Sequence, residues 1–386
     1  MVMIFSRARM ALVEGHCSPT PRPVQRPGTP RKGSDLLFFE KSRSDPFLKG
    51  RLLTAPGTCA TMNAHRDAMK GQRSIKDLKT ACLINPRAAN SKWTRRRLLR
   101  TYLQRKLPGE IYDGLGDTRT TVEKAAIASR GADVIVAMGG DGTIADTLQG
   151  IFEAGRQGKV LFGVIPFGSG NAFRKAFDIP KNPLRAIDRL AEGIPLAIDL
   201  MEVEGRVAAF ASIGATARVT GEKLRGRVHG LWGHVLAGRR LFDTPVDEKT
   251  LEFQEGHDES GPFETRTVTS SFFDCLVTKT NYFGYSWRIA PEAVVDDGYL
   301  DVTLFEMRPV KYALFFPLIY FGLYQRRLRH FKAKRVVISG RDLPIQFNGE
   351  FLGDRDRIEF KVLPRAIRMV IPPTKRARKH FQEHSA

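Results

Sequence analysis

Residues 134–144 read VIVAMGGDGTI, and this stretch decides the fold. Five consecutive apolar residues, 134–138, suit a strand buried on both faces, as in a parallel sheet. Gly139, Gly140 and Gly142 follow at once, with Asp141 and Thr143 among them, and a helical pattern begins at Ile144. A buried strand, a glycine-rich turn and a helix start together present bare backbone N–H groups at a positive helix terminus, the requirement for holding phosphate. Asp141 alone would repel phosphate. A carboxylate beside a triphosphate makes sense when Mg2+ lies between them.

The same rhythm extends outward. Segments 81–84 and 161–165 read as strands, 93–106, 121–129 and 144–153 as helices, and this alternation implies a parallel sheet with helices on both faces. A second small-residue turn, Pro166-Phe-Gly168-Ser169-Gly170-Asn171, leads into a helix from Ala172, and the first strand ends at Asn85-Pro86. Ligands of such sheets bind beyond the carboxyl ends of the strands, where all three turns fall. After Met201 the pattern changes to β-branched and aromatic segments (207–213, 263–280, 299–305, 334–339, 345–347, 358–362 and 367–371), so the expected fold is α/β followed by a mainly antiparallel, β-rich domain.

The chain has 386 residues, with 62 Lys and Arg against 41 Asp and Glu, a formal charge of +21, and 42% hydrophobic residues. That length suits about two domains. The charge calls for anionic partners, yet no recognition module or stacking platform for nucleic acid is visible, so none is expected. No uncharged apolar run reaches the roughly 18 residues of a spanning helix. Cys17, Cys59, Cys82 and Cys275 lack the spacing of a disulfide scaffold or zinc site, which favours a cytoplasmic chain. Residues 1–78 read as a disordered basic extension, with Met62 or Met69 as alternative starts; 79–200 as the nucleotide-binding domain; 201–372 as the β-rich domain; 373–386 as a basic tail.

Taken in order, Asn-Pro, Gly-Gly-Asp-Gly-Thr, Pro-Phe-Gly-Ser-Gly-Asn, then Asn281-Tyr-Phe-Gly-Tyr, Ile289-Ala-Pro-Glu292 and Asp296-Asp297-Gly298-Tyr-Leu300-Asp301 resemble the diacylglycerol kinase catalytic family of bacterial lipid kinases, sphingosine kinases and ceramide kinases. The resemblance covers roughly residues 80–371 and implies a two-domain fold like that of NAD kinases, with ATP in the interdomain cleft and its γ-phosphate passed to a diacylglycerol or sphingoid hydroxyl. It implies that Asn85 contacts the nucleotide, that Gly139, Gly140, Asp141, Gly142 and Thr143 wrap its phosphates with Asp141 on Mg2+, and that Gly168, Ser169 and Asn171 form a second wall. It also implies a second, structural Mg2+ at Asp297 with backbone carbonyls near Val294 and Tyr299. Asp297 read alone also fits an ordinary Asp-Gly turn.

Two departures matter. Ala145-Asp146 stands where the family has Asn-Glu, and Asn348-Gly349-Glu350 where it has Asp-Gly-Glu, whose Asp is the proposed general base. An amide cannot accept the substrate's proton. Glu350 or another carboxylate could act instead, or positioning and charge neutralisation alone could support turnover. The alternatives are a pseudokinase that binds nucleotide or lipid without turnover, and an NAD kinase-like enzyme. Segment 312–324, aromatic and followed by Arg326, Arg327 and Arg329, suits either a helix lying on an anionic membrane surface at the inner face or a buried helix. Segment 223–242 is a second candidate for such a surface.

Overall fold

The computed structural model describes residues 74–85, 93–113, 117–168, 172–225, 246–284 and 287–374. Strands β1 (Thr80–Ile84), β2 (Gly109–Tyr112), β3 (Val134–Gly139) and β4 (Leu161–Pro166) pair in parallel, in the order β4-β3-β1-β2. Every residue of β3 and β4 is buried, which is why their sequences run apolar without alternation. The connecting helices are α1 (Trp93–Lys106), α2 (Thr118–Gly131), α3 (Asp141–Glu153), α4 (Ala172–Ala176) and α5 (Pro183–Ala191). Asp117 caps α2, its carboxylate accepting from the Thr120 amide at 2.8 Å. Helices α2 and α3 cross closely because Gly150 has no side chain: a Cβ there would lie 2.2 Å from the Val122 carbonyl oxygen.

The second half comprises β5 (Ile194–Val203), β6 (Arg206–Ala208), β7 (Phe210–Gly214), α6 (Ala215–Arg225), β8 (Glu248–Asp258), β9 (Gly261–Ser271), β10 (Asp274–Thr278), β11 (Leu300–Phe305), α7 (Pro309–Tyr320), β12 (Arg329–Phe347) and β13 (Glu350–Ile371). All pairings within it are antiparallel, as the sequence led us to expect. The expected strand 263–280 is two strands, β9 and β10, and the four short segments expected between 334 and 371 are two long ones, β12 and β13. Residues 74–78, assigned from sequence to a disordered extension, include a 3-10 turn, Ile75–Asp77, with Ile75 buried. The rest of that extension, most of 223–242 and most of the basic tail lie outside the described residues.

One sheet runs through both halves. Strand β13 pairs with β12, then with β5, and finally in parallel with β4 through Arg368–Leu161 and Met369–Phe162. The expected boundary near residue 200 falls inside β5. Two cores result. One lies under the helices and continues to Phe273, Trp287, Phe305 and Tyr312; the other fills the β-rich half around Phe253, Phe272, Ile338 and Phe360.

Asp274 opens β10 inside this packing, fully buried. One carboxylate oxygen accepts from the amide and hydroxyl of Thr216, and the other has no hydrogen-bond partner among the described residues. Burial pushes its carboxyl up from 3.8 to about 7, against the lowering effect of Thr216. A proton held more tightly in the folded state stabilises it at low pH, and that contribution is lost as pH rises from about 4 to about 7. Asp274→Asn should therefore flatten the pH dependence of stability over that window and be the more stable protein above it, as read by thermal denaturation at stepped pH.

Candidate active site

The first glycine turn follows β3, and Gly140 caps α3 without a side chain. The first-turn N–H groups of any helix lack intrahelical acceptors, so those of α3 can serve a phosphate. Each glycine has its own reason. A Cβ on Gly139 would lie 2.4 Å from Thr143 Oγ1, and one on Gly140 would meet Gly168 Cα at 3.2 Å, whereas Gly142 faces open space. The first two are needed for packing and the third leaves the backbone accessible.

Three strand ends are tied together here. Asn85 Nδ2 donates to Thr143 Oγ1 at 2.9 Å and its backbone N–H to Met138 O at 3.1 Å, while Phe167 N–H donates to Gly139 O at 2.7 Å. Asp141 joins the two glycine-rich turns, its carboxylate accepting from the amides of Ala172 (3.2 Å) and Phe173 (3.4 Å). Asn85, Gly139 to Thr143 and Gly168 are thus brought together at the carboxyl edge of the parallel strands. Ser169 and Asn171 lie outside the described residues.

The β12–β13 turn comes from the second half. Phe347 faces Glu350, and the two residues between them, Asn348 (φ 46°) and Gly349 (φ 89°), both occupy the left-handed region, the signature of a tight Asn-Gly hairpin. Asn348 is buried, and its amide is committed: Oδ1 accepts from Ala209 N–H at 3.1 Å and Nδ2 donates to Val207 O at 3.2 Å. It is a turn and packing residue. Glu350 is placed differently. One of its oxygens accepts from the Thr118 hydroxyl at 3.1 Å and the other lies 3.5 Å from Arg206 Nη1.

Glu350 lies near Asp146, on the second turn of α3, and both carboxylates engage the Thr118 hydroxyl. Burial first, and then the charge of Glu350, push the Asp146 carboxyl up from 3.8 to about 7, against the opposing effects of Thr118 and Arg206. A carboxyl raised in this way can take up a proton near neutral pH. The sequence showed Asp146 only as a shortened carboxylate, since its neighbour Glu350 is brought to it from the far half of the chain.

Val294 O, Asp297 and Tyr299 O do converge, as the resemblance implied, but the point they surround holds the Lys279 ammonium. Its Nζ donates to Val294 O (3.1 Å), Asp297 Oδ1 (2.8 Å) and Tyr299 O, with Asp199 Oδ2 at 3.1 Å. With an ammonium at their centre, these oxygens do not fit a second Mg2+ as they stand. The available signal was a lone Lys279 closing the apolar strand 275–278. Among the described residues no group of three His, Cys, Asp or Glu is arranged for a metal. A cavity of about 420 Å³ bounded by Ile75, Asp133, Leu161 and Glu192 opens at the amino ends of the parallel strands, away from the glycine turns.

The glycine turns at the carboxyl edge of the parallel strands suit a phosphate ligand, and comparison with known proteins identifies the class. The family model for the diacylglycerol kinase catalytic domain matches residues 79–203, and that for the YegS C-terminal NAD kinase beta sandwich-like domain matches residues 263–371. The chain is 27% identical over 273 residues to the diacylglycerol kinase of Bacillus subtilis (strain 168), covering 67% of this chain and 84% of that one. It is 28% identical over 247 residues to the diacylglycerol kinase of Staphylococcus aureus (strain Newman), covering 62% and 74%. A solved diacylglycerol kinase structure from Bacillus anthracis str. Sterne shares the fold, with a TM-score of 0.60 at 17% identity over 77% of this chain and 98% of that one. Residues 79–203 thus carry a diacylglycerol kinase catalytic domain, and the chain is a kinase.

Restoring the family's residue with Asn348→Asp would remove the donor to Val207 O and set a buried carboxylate oxygen against that carbonyl. At about 1–3 kcal/mol for a buried polar group left unsatisfied, the variant should melt roughly 5 °C lower without a rise in kcat. Thermal denaturation and a kinase assay check both.

Proposed function

We propose that the protein transfers the γ-phosphate of ATP to the hydroxyl of a diacylglycerol or sphingoid-type lipid, with Asp146 accepting the proton. The pairing of Asp146 with Glu350 beside the glycine turn carries this reading. The lipid oxygen attacks the γ-phosphorus, the bond to the departing ADP oxygen breaks, and the hydroxyl proton passes to the Asp146 carboxylate. Phosphoryl transfer is loose, so positioning and charge neutralisation do most of the catalysis. The amides of Gly142 and Thr143 would hold phosphate oxygens, and Asn85 holds Thr143 in place. Asp141, whose carboxylate also accepts from Ala172 and Phe173, would hold Mg2+; the ion, when bound, would neutralise phosphate charge. Glu350, held by Thr118 and Arg206, adds to the effect of burial on the proton affinity of Asp146.

The base must be ionised, so activity should rise with pH through about 7, the Asp146 value. Glu350→Gln removes the like charge and should move this limb to lower pH, while Asp146→Asn should lower kcat roughly 100-fold or more. Transfer of label from ATP to a lipid panel, followed across pH, tests this reading. An unmoved limb in Glu350→Gln with full activity in Asp146→Asn would refute it, and no lipid product from the wild type would favour the pseudokinase.

The lipid is reached through α7. Val310, Leu314, Leu318 and Phe321 form a stripe along one side of this helix and its end, with exposures of 69%, 72%, 42% and 65%, while Tyr312 and Ile319 face inward. Arg308, Lys311, Arg326 and Arg327 flank the stripe and are exposed. Half-burying four such side chains is worth on the order of 4 kcal/mol. Four flanking cations add about 1 kcal/mol each at an anionic surface, so the sum corresponds to roughly micromolar binding. No helix among the described residues is long and apolar enough to cross a membrane, so this one would lie on the surface. In flotation with vesicles containing phosphatidylglycerol, the wild type should float and Leu314→Glu/Phe321→Glu should stay at the bottom, with ATP binding unchanged.

A further inference from the structure

We infer that the Lys279 ammonium is a built-in cation, holding by hydrogen bonds the position that a structural divalent ion would otherwise fill. The geometry suits nitrogen. Three separations from Nζ, 2.8 Å to Asp297 Oδ1 and 3.1 Å to both Val294 O and Asp199 Oδ2, are hydrogen-bonding distances. Mg2+ would require its oxygens at about 2.0–2.1 Å in a near-octahedral shell. The Lys279 side chain is wholly buried, as is that of Asp199, so the charges meet away from water, where neither tolerates loss of the other.

The surroundings bind this position to the fold. Asp199 lies on β5; its Oδ2 also accepts from Gly298 N–H (2.7 Å), and its Oδ1 accepts from Arg365 N–H (2.8 Å). Arg365 has φ 47° and lies in the irregularity of β13 between Leu363 and Ile367. The Asp199 N–H donates to Val295 O at 2.7 Å. Lys279 follows β10 and its own N–H donates to Ala209 O at 2.8 Å. One ammonium therefore gathers β5, β10, the 294–299 loop and, through Asp199, the irregularity in β13.

Charge balance argues the same way. The second oxygen of Asp297 accepts from Lys332 Nζ at 2.6 Å, and Asp301 Oδ1 lies 3.4 Å from that same ammonium. Asp199 and Asp297 thus already face two ammoniums, and a divalent ion placed among them would reverse the sign of the cluster. The inference concerns this chain's cation alone and holds whichever residue serves as the base.

The test uses the full-length protein without nucleotide. Wild type should melt at the same temperature in excess chelator and in Mg2+, and crystals soaked in Mn2+ should show no anomalous peak between Asp199 and Asp297. Lys279→Ala leaves two buried carboxylates short of a cation, so it should melt roughly 10 °C lower in chelator, regain most of that loss in Mg2+ or Mn2+, and retain one more Mn2+ per chain. A wild type that melts lower in chelator, a Mn2+ peak with Lys279 turned away, or a folded Lys279→Ala indifferent to divalent ions would each overturn the inference. Should Lys279→Ala fail to fold, the wild-type melts and the soaked crystals decide by themselves.

Discussion

The change of partners along β13 is the constraint on which the rest of the structure depends. Strand β13 pairs with β12, then with β5 and finally with β4, and these ladders satisfy most of its backbone N–H and C=O groups. Residues 350–371 therefore cannot move as part of a separate body. The hairpin at Asn348-Gly349 is held against the carboxyl edge of the parallel strands, and Glu350 reaches α2 and α3 from the opposite end of the sequence. The irregularity at Leu363–Ile367 would leave an unpaired N–H, and Asp199 takes it.

Much of this was legible in the sequence. The 134–143 stretch forced a buried strand, a phosphate-type turn and a helix because no other local structure needs that order of residues. The long strands β12 and β13 were broken in the reading because their middles are polar, as in Asp354, Arg355, Asp356 and Arg357, and edge-facing positions carry no apolar signal. Strand β2, four residues with none buried, was missed for the same reason. Asn348 shows a different limit. By chemistry it reads as a lost base, but its backbone angles and two buried hydrogen bonds explain the residue without reference to catalysis. Lys279 was legible only as an oddity, since its four oxygens come from positions up to 80 residues away.

Among the described residues burial raises the carboxyls of Asp146, Asp274 and Asp301, and their neighbours decide what each shift means. Asp274 has a threonine for company and no part in the cleft, so its proton bears on stability alone. Asp301, pushed up by burial to about 6 against the pull of Lys332 and Lys279, belongs to the cation cluster. Asp297 in that cluster also meets the burial penalty, but Lys279 and Lys332 outweigh it and hold its carboxyl below the usual range. Of these carboxyls, Asp146 is the one that combines a raised value with a second carboxylate near the glycine turn.

The hairpin that carries Glu350 also governs how the protein ages. Asn-Gly is the dipeptide most prone to spontaneous deamidation, in which the glycine nitrogen attacks the asparagine side-chain carbon to close a succinimide ring. In the folded chain that nitrogen donates to Gln346 Oε1 at 3.0 Å, and the Asn348 amide is held at both ends by Ala209 and Val207. Neither partner can turn to meet the other. The fold thus preserves its own asparagine, and a molecule that dwells unfolded returns with an aspartate or isoaspartate in a turn built around an amide.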